Sequence, residues 1–223
     1  MGKRAIVAGA TGMVGSALVE LLCADPDYSV VLILGRRKPA LNDLKISFIK
    51  TNFSGRELFP EDIKGDVLFC CLGTTIKKAG SKEAFREVDL NMPMILAHLA
   101  KEKAIPVFIA VSSLGAHTNS KNFYLRTKGQ MEQEVLNAGV FRVVFARPSM
   151  LYGDRKETRI AEFIGKVAMH VVDLLLWGKF RKYRGIQGKT VAAALIELAS
   201  QSSVIKYVES DQLAVYGKSY LEK

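Results

Sequence analysis

The chain has 223 residues, enough for one α/β unit with a sizeable core, and its 49% hydrophobic and 24% charged content excludes a disordered or low-complexity protein. Three cysteines, two of them adjacent at Cys70 and Cys71, make no disulfide framework and fit a reducing compartment, with the cytoplasm expected. A formal charge of +10 is compatible with nucleic acid, a membrane surface or an anionic cofactor and does not choose among them. His98, His117 and His170 lack ligand spacing, so no metal site is expected.

Arg4 to Ala8 reads as a buried parallel strand, and Met13 to Ala24 carries apolar residues at helical spacing. With strand so close to the first residue, no secretory signal is expected. Between the two elements lies Gly9-Ala10-Thr11-Gly12-Met13-Val14-Gly15, a G-x-x-G-x-x-G turn. Gly9 permits a tight exit from the strand, Gly12 removes the Cβ that would keep a pyrophosphate from the backbone, and Gly15 lets the helix pack close to the sheet. Thr11, Met13 and Val14 complete the candidate dinucleotide turn, whose amides open the helix toward an anion.

Ser29 to Leu34 is the second strand and ends at Gly35-Arg36-Arg37-Lys38. An acidic residue here would hydrogen-bond the adenosine ribose of NAD, whereas arginine accommodates the 2′-phosphate of NADP, so Arg36 and Arg37 favour NADP(H). Ile46 to Ile49 alternates as a third strand, with Thr51-Asn52-Phe53 leaving it near the expected adenine position. Val67 to Leu72 is a buried strand. Cys71, Leu72, Gly73 and Thr74 form its small, polar exit, over which a cofactor ribose can pass; Cys70 and Cys71 read as core residues rather than redox catalysts.

Ser81 caps a predicted helix over Lys82 to Lys103, with Phe85, Val88, Ile95 and Leu99 near its buried face. Val107 to Val111 is the next parallel strand and ends in Ser112-Ser113-Leu114-Gly115, where chemistry gathers in open α/β sheets. Tyr124-Leu125-Arg126-Thr127-Lys128 then opens a helix reaching about Asn137, so that Tyr124 and Lys128 share one face. A lysine ammonium beside a phenol favours the phenolate and makes the tyrosine a usable proton donor or acceptor. Val143 to Ala146 follows as a strand.

In this order, the glycine turn, the strand-terminal serines and Tyr-x-x-x-Lys resemble the short-chain dehydrogenase/reductase superfamily over about Lys3 to Gly153. The resemblance implies a Rossmann-type, doubly wound, mainly parallel sheet in a single domain over 1–223, with roughly 154–223 supplying a small substrate side. It implies that Ser113, rather than Ser112, positions a carbonyl oxygen, Tyr124 protonates it, and Lys128 holds the nicotinamide ribose while tuning Tyr124. Arg147 and Pro148, in the run Arg147 to Gly153, would border the nicotinamide. Asp89 stands where many members carry an asparagine used in a proton relay.

More narrowly, Cys70 to Thr75, Val111-Ser112-Ser113, and Arg147-Pro148 followed by Asp154 to Arg159 resemble the Tat-interactive-protein branch of atypical short-chain dehydrogenases. That implies an NADPH-binding protein without a transferable substrate.

Beyond this, Ile160 to Trp177 reads as an apolar helix too short for a comfortable membrane crossing. Gly178 to Gly185 interleaves cations with Phe180 and Tyr183, expected as a solvated basic loop whose aromatics pack inward, with contact to anionic lipid or single-stranded nucleic acid as the alternative. Thr190 caps a helix through Ser200, and Val204 to Val208 forms a last strand before a short tail.

Two functions follow. One is an NADPH-dependent reductase acting on an unidentified small-molecule acceptor through Ser113, Tyr124 and Lys128. The other is an NADP(H)-sensing protein that binds a protein partner and needs the turn and Arg36 but not the triad. Nucleic-acid or membrane binding by the basic surface ranks behind both.

Overall fold

The computed structural model describes residues 2–53, 60–61, 63–153, 178–202 and 206–223. The predicted helix over Ile160 to Trp177 and the run Asp154 to Arg159 lie outside these.

The first strand, β1 (Lys3–Ala8), is flanked by β2 (Tyr28–Gly35) and β4 (Val67–Cys70). With β3 (Ile46–Lys50), β5 (Val107–Val111), β6 (Arg142–Arg147) and β9 (Tyr207–Glu209) they make a seven-stranded parallel sheet in the order β3-β2-β1-β4-β5-β6-β9. The central strands β1, β4 and β5 are covered on both faces, which is why they read as largely unbroken apolar runs. Ala5, Val7, Phe69 and Ile109 point into the layer built by α1 (Met13–Ala24), α6 (Gly188–Ser200) and α7 (Ser210–Leu221). Ile6, Ala8, Leu68, Phe108 and Ala110 point into the layer of α4 (Met92–Glu102) and α5 (Phe123–Asn137). Phe69, Phe108 and Phe145 are fully buried, each stabilising the core by roughly 1.5–3 kcal/mol relative to exposure.

The strand order turns back between β1 and β4, the point at which an open α/β sheet leaves a crevice. Register fixes where that crevice lies. Ala8 pairs with Leu34 and Cys70, and Cys70 with Ala110, so β1, β2, β4 and β5 end nearly level and release their loops at one edge.

Ser81 caps as predicted, accepting the Ala84 N–H at 3.1 Å, and the expected helix runs on from Lys82 to Glu102 with a π-helical turn inside it. The short α2 (Ile76–Ala79) and α3 (Lys82–Arg86) lead into a π-helical turn over Glu87–Asn91 before α4 begins. Pro93 at the start of α4 has no N–H to offer the Asp89 carbonyl, so the α-helical register cannot run through it.

The remaining elements are β7 (Leu151–Tyr152), which pairs in parallel with β8 (Ile186–Gln187), and a 3₁₀ turn over Gly178–Tyr183. Phe180 and Tyr183 are 62% and 53% exposed, which corrects the expectation that they pack inward. The chain closes with α7 instead of a short tail, its start fixed by a reciprocal Glu209–Gln212 capping box. Its Tyr220 hydroxyl donates to Asp25 at 2.7 Å. On the far side, the edge strand β9 sets Tyr207 between the Phe145 ring, 5.6 Å away, and the Arg147 guanidinium, 4.1 Å from the ring centre. No described helix is long and apolar enough to cross a membrane.

Candidate functional site

At the exit of β1, Gly9 adopts φ +88°, and a Cβ there would lie 2.4 Å from the Cys71 carbonyl oxygen. Only glycine takes this conformation at this separation. The Gly9 carbonyl turns to accept the Gly12 N–H at 3.0 Å. It also lies where a Cβ on Gly15 would fall, 2.2 Å away, so α1 rests directly on the turn. Gly12 differs from both: a Cβ there would meet just the Gly9 and Cys71 carbonyls, at 3.4 and 3.9 Å, and its remaining side is open. Gly12 caps α1 without a side-chain hydrogen bond, and no acidic residue lies in the first turn, so the positive end of the helix is bare.

Above this turn lies a cavity of about 1070 Å³, at the upper end for small-molecule sites. Its floor is Ala10 to Val14, and its walls are Pro39 to Leu41 after β2, Cys71 to Ile76 after β4, and Val111, Ser112, Tyr124 and Lys128 from β5 and α5. Of the residues singled out from sequence, Thr11, Gly12, Met13, Val14, Cys71, Leu72, Gly73, Thr74, Tyr124 and Lys128 line it, while Gly9 and Gly15 shape the turn beneath. Arg36 and Arg37 are exposed at the end of β2, immediately before the lining segment.

Ser113 and Arg147 are placed elsewhere. Ser112 and Ser113 both lie just past the end of β5, and of the two it is Ser112 that lines the cavity. Ser112 is 3% exposed, with no hydrogen-bond partner for its Oγ, while the Ser113 hydroxyl donates at 3.4 Å to the Leu114 carbonyl. Arg147 forms a two-pronged ion pair with buried Glu132, its Nε donating at 2.9 Å, and stacks on Tyr207. Neither Arg147 nor Pro148 borders the cavity.

Tyr124 and Lys128 do share a face of α5, which Asn122 caps through the Leu125 N–H. The principal partner of Lys128 is Asp89: its Nζ lies 2.8 Å from Asp89 Oδ1 and donates at 3.4 Å to the Val111 carbonyl. Burial works against the ammonium, yet the Asp89 carboxylate, with Tyr124 behind it, holds Lys128 above the ordinary lysine value. Burial pushes the Cys70 thiol up to about 11 and the Cys71 thiol higher still, so both stay protonated and unreactive at neutral pH.

Residues 5–187 match the NAD dependent epimerase/dehydratase family. The chain belongs to that family. Relatives include the Protein FMP52, mitochondrial, of Candida albicans, 34% identical over 71% of this chain and 74% of that protein. Its namesake in Eremothecium gossypii is 31% identical over 94% of this chain and 95% of that protein. Among solved structures, the Bordetella bronchiseptica enzyme WbmH in complex with NAD+ shares the fold with a TM-score of 0.71 at 13% identity, covering 97% of this chain and 80% of that one. The resemblance to short-chain dehydrogenases and the Rossmann-type sheet are thereby borne out. The cytoplasmic expectation is corrected: relatives at 28–34% identity are named mitochondrial proteins.

The residues present suit the dinucleotide that gives the epimerase/dehydratase family its name. The open side of Gly12 is a cradle that any side chain would fill, and the bare start of α1 offers amides to an anion. Sequence reading passed over the lining residues Glu20, Pro39, Ala40, Leu41, Ile76 and Lys78, none of which belongs to a motif. It also missed Asp89 as the partner of Lys128. The available signal was an acidic residue in the helix stripe of Phe85, Met92 and Leu96, where a hydrocarbon side chain is expected.

Proposed function

We propose that this chain is an NADP(H)-dependent oxidoreductase that reduces a carbonyl-type small molecule, with Tyr124 as the proton donor. The observation that carries this reading is the convergence of Tyr124 and Lys128 on a cavity floored by the glycine turn. A bound nicotinamide supplies the hydride; the chain supplies the rest. Helix α1 and the Gly12 backbone receive the pyrophosphate, Lys128 holds a cation at the wall beside Tyr124, and Tyr124 delivers its phenolic proton to the acceptor oxygen. Arg36 and Arg37, at the edge of the lining segment Pro39 to Leu41, support NADP(H) over NAD(H) through the 2′-phosphate. The mitochondrial names of the relatives support a mitochondrial location.

A second reading, an NADP(H) sensor that binds a protein partner without turnover, is favoured by the Ser113 hydroxyl facing its own neighbour's carbonyl and by the engagement of Lys128 with Asp89. Equilibrium titration with NADPH, NADP, NADH and NAD tests the cofactor assignment, repeated on Arg36→Ala at fixed ionic strength. The expected result is selective NADP(H) binding that weakens in the variant. Equal affinity for NADH and NADPH, unchanged by the substitution, refutes it.

A further inference from the structure

Asp89 and Lys128 are 1% and 3% exposed. Burying two charges is costly, and well-packed apolar side chains at both positions would commonly serve stability as well or better. The pair therefore calls for a reason other than packing, and its geometry supplies one.

The carboxylate divides its two oxygens between different walls of the cavity. Oδ2 accepts the Thr74 N–H at 2.8 Å, fixing the turn after β4, and Oδ1 lies 2.8 Å from the Lys128 Nζ on α5. The π-helical turn over Glu87–Asn91 sets Asp89 between these two elements, and such turns recur at functional sites.

We propose that Asp89 is a positioning residue whose single carboxylate ties the turn after β4 to the Lys128 ammonium, so that two walls of the dinucleotide site are assembled before the cofactor arrives. This rests on the dinucleotide reading above. The groups acting on Lys128 are Asp89 from the π-helical turn, Tyr124 from its own helix and Cys70 from β4, and Asp89 is the carboxylate among them. Without it, burial is opposed only by the weaker pull of Tyr124 and Cys70 and shifts the ammonium toward the neutral form.

The test uses the full chain with Asp89→Asn, which keeps an acceptor for Thr74 and removes the charge, with Lys128→Met, and with the double variant. Two quantities are followed from about pH 6.5 to about pH 9.5: NADPH affinity, and urea unfolding without nucleotide. In the wild type the folded-state value of Lys128 lies above the unfolded one, so its contribution persists through this range and is lost only as pH rises beyond about 10.4 toward the folded value. In Asp89→Asn the folded value falls below the unfolded one, the native state binds fewer protons, and stability rises with pH relative to wild type. NADPH affinity of that variant falls with pH by about tenfold more than in wild type, for each unit by which pH exceeds the new Lys128 value. Lys128→Met abolishes both trends.

Parallel pH profiles for wild type and Asp89→Asn, or strictly additive effects of the two substitutions on unfolding, overturn the proposal. If Asp89→Asn fails to fold, the apolar pair Asp89→Leu with Lys128→Met takes its place, and wild-type NADPH affinity in that protein overturns the proposal equally. Absence of dinucleotide binding by the wild type refutes the function proposed above; the unfolding measurements then decide the tie between Asp89 and Lys128 on their own.

Discussion

Alanine at Gly12 and at Gly15 adds the same methyl group to the same turn, yet the two substitutions have opposite expected outcomes. At Gly12 the backbone, φ −83° and ψ 170°, is open to any residue, and the new Cβ meets nothing closer than 3.4 Å. The fold loses about 1 kcal/mol or less, the scale of a changed helix cap. The methyl group nevertheless stands on the open side where an anion would reach the backbone. Losing one charge-assisted hydrogen bond there, about 1.5–3 kcal/mol, weakens NADPH binding roughly ten- to a hundredfold. At Gly15 the Cβ would sit 2.2 Å from the Gly9 oxygen and 2.8 Å from its carbon, both backbone atoms that cannot rotate away. Overpacking against backbone costs about 3 kcal/mol or more, a large part of a total of about 5–15 kcal/mol, and lowers the melting temperature by roughly 6–12 °C. Thermal melts and NADPH titrations on both proteins separate the cases. A Gly12→Ala protein that binds NADPH as wild type does, or a Gly15→Ala protein that melts with wild type, would refute this account of the turn.

Glu132→Ala leaves the Arg147 guanidinium facing a vacated, buried site and is expected to destabilise the fold by about 3–5 kcal/mol in urea unfolding, with NADPH affinity per folded molecule unchanged. A selective loss of cofactor affinity instead would place Arg147 in the binding site. Tyr124→Phe is expected to lower acceptor-dependent NADPH oxidation at least a hundredfold while leaving NADPH affinity within about twofold, the signature of a lost proton donor. Equal turnover in that variant would remove Tyr124 from the chemistry and leave the sensor reading standing.

Much of the fold is legible in the sequence because local signals and tertiary structure agree. Met13 to Ala24, Val107 to Val111 and the helix ending at Asn137 are read to within a residue or so, their apolar periodicity being bounded by glycine or by a strand exit. The π-helical turn at Glu87–Asn91 follows from Pro93, a residue visible in the sequence but tolerated in the first turn of any helix. Helix α7 went unread because its apolar residues, Leu213, Tyr216 and Tyr220, are diluted by polar neighbours. At the site, motif spacing locates the glycine turn and the Tyr124–Lys128 face. It cannot distinguish Ser112 from Ser113, since that choice depends on how the chain turns as it leaves β5. Nor can spacing anticipate that Arg147 is taken by Glu132, because the two meet only once α5 packs against β6.

The strands at the two margins of the sheet bear on how this protein meets its own copies. On one side β9 is three residues long, and its half-exposed Tyr207 rests against Phe145 and Arg147. On the other, β3 spans five residues, with Lys45 just before it and Lys50 at its end. A strand that short offers few free amides and carbonyls to a neighbouring chain, and lysines at a margin repel a second copy approaching with the same charge. Among the described residues, neither margin therefore offers a long, bare strand on which a second copy could extend the sheet.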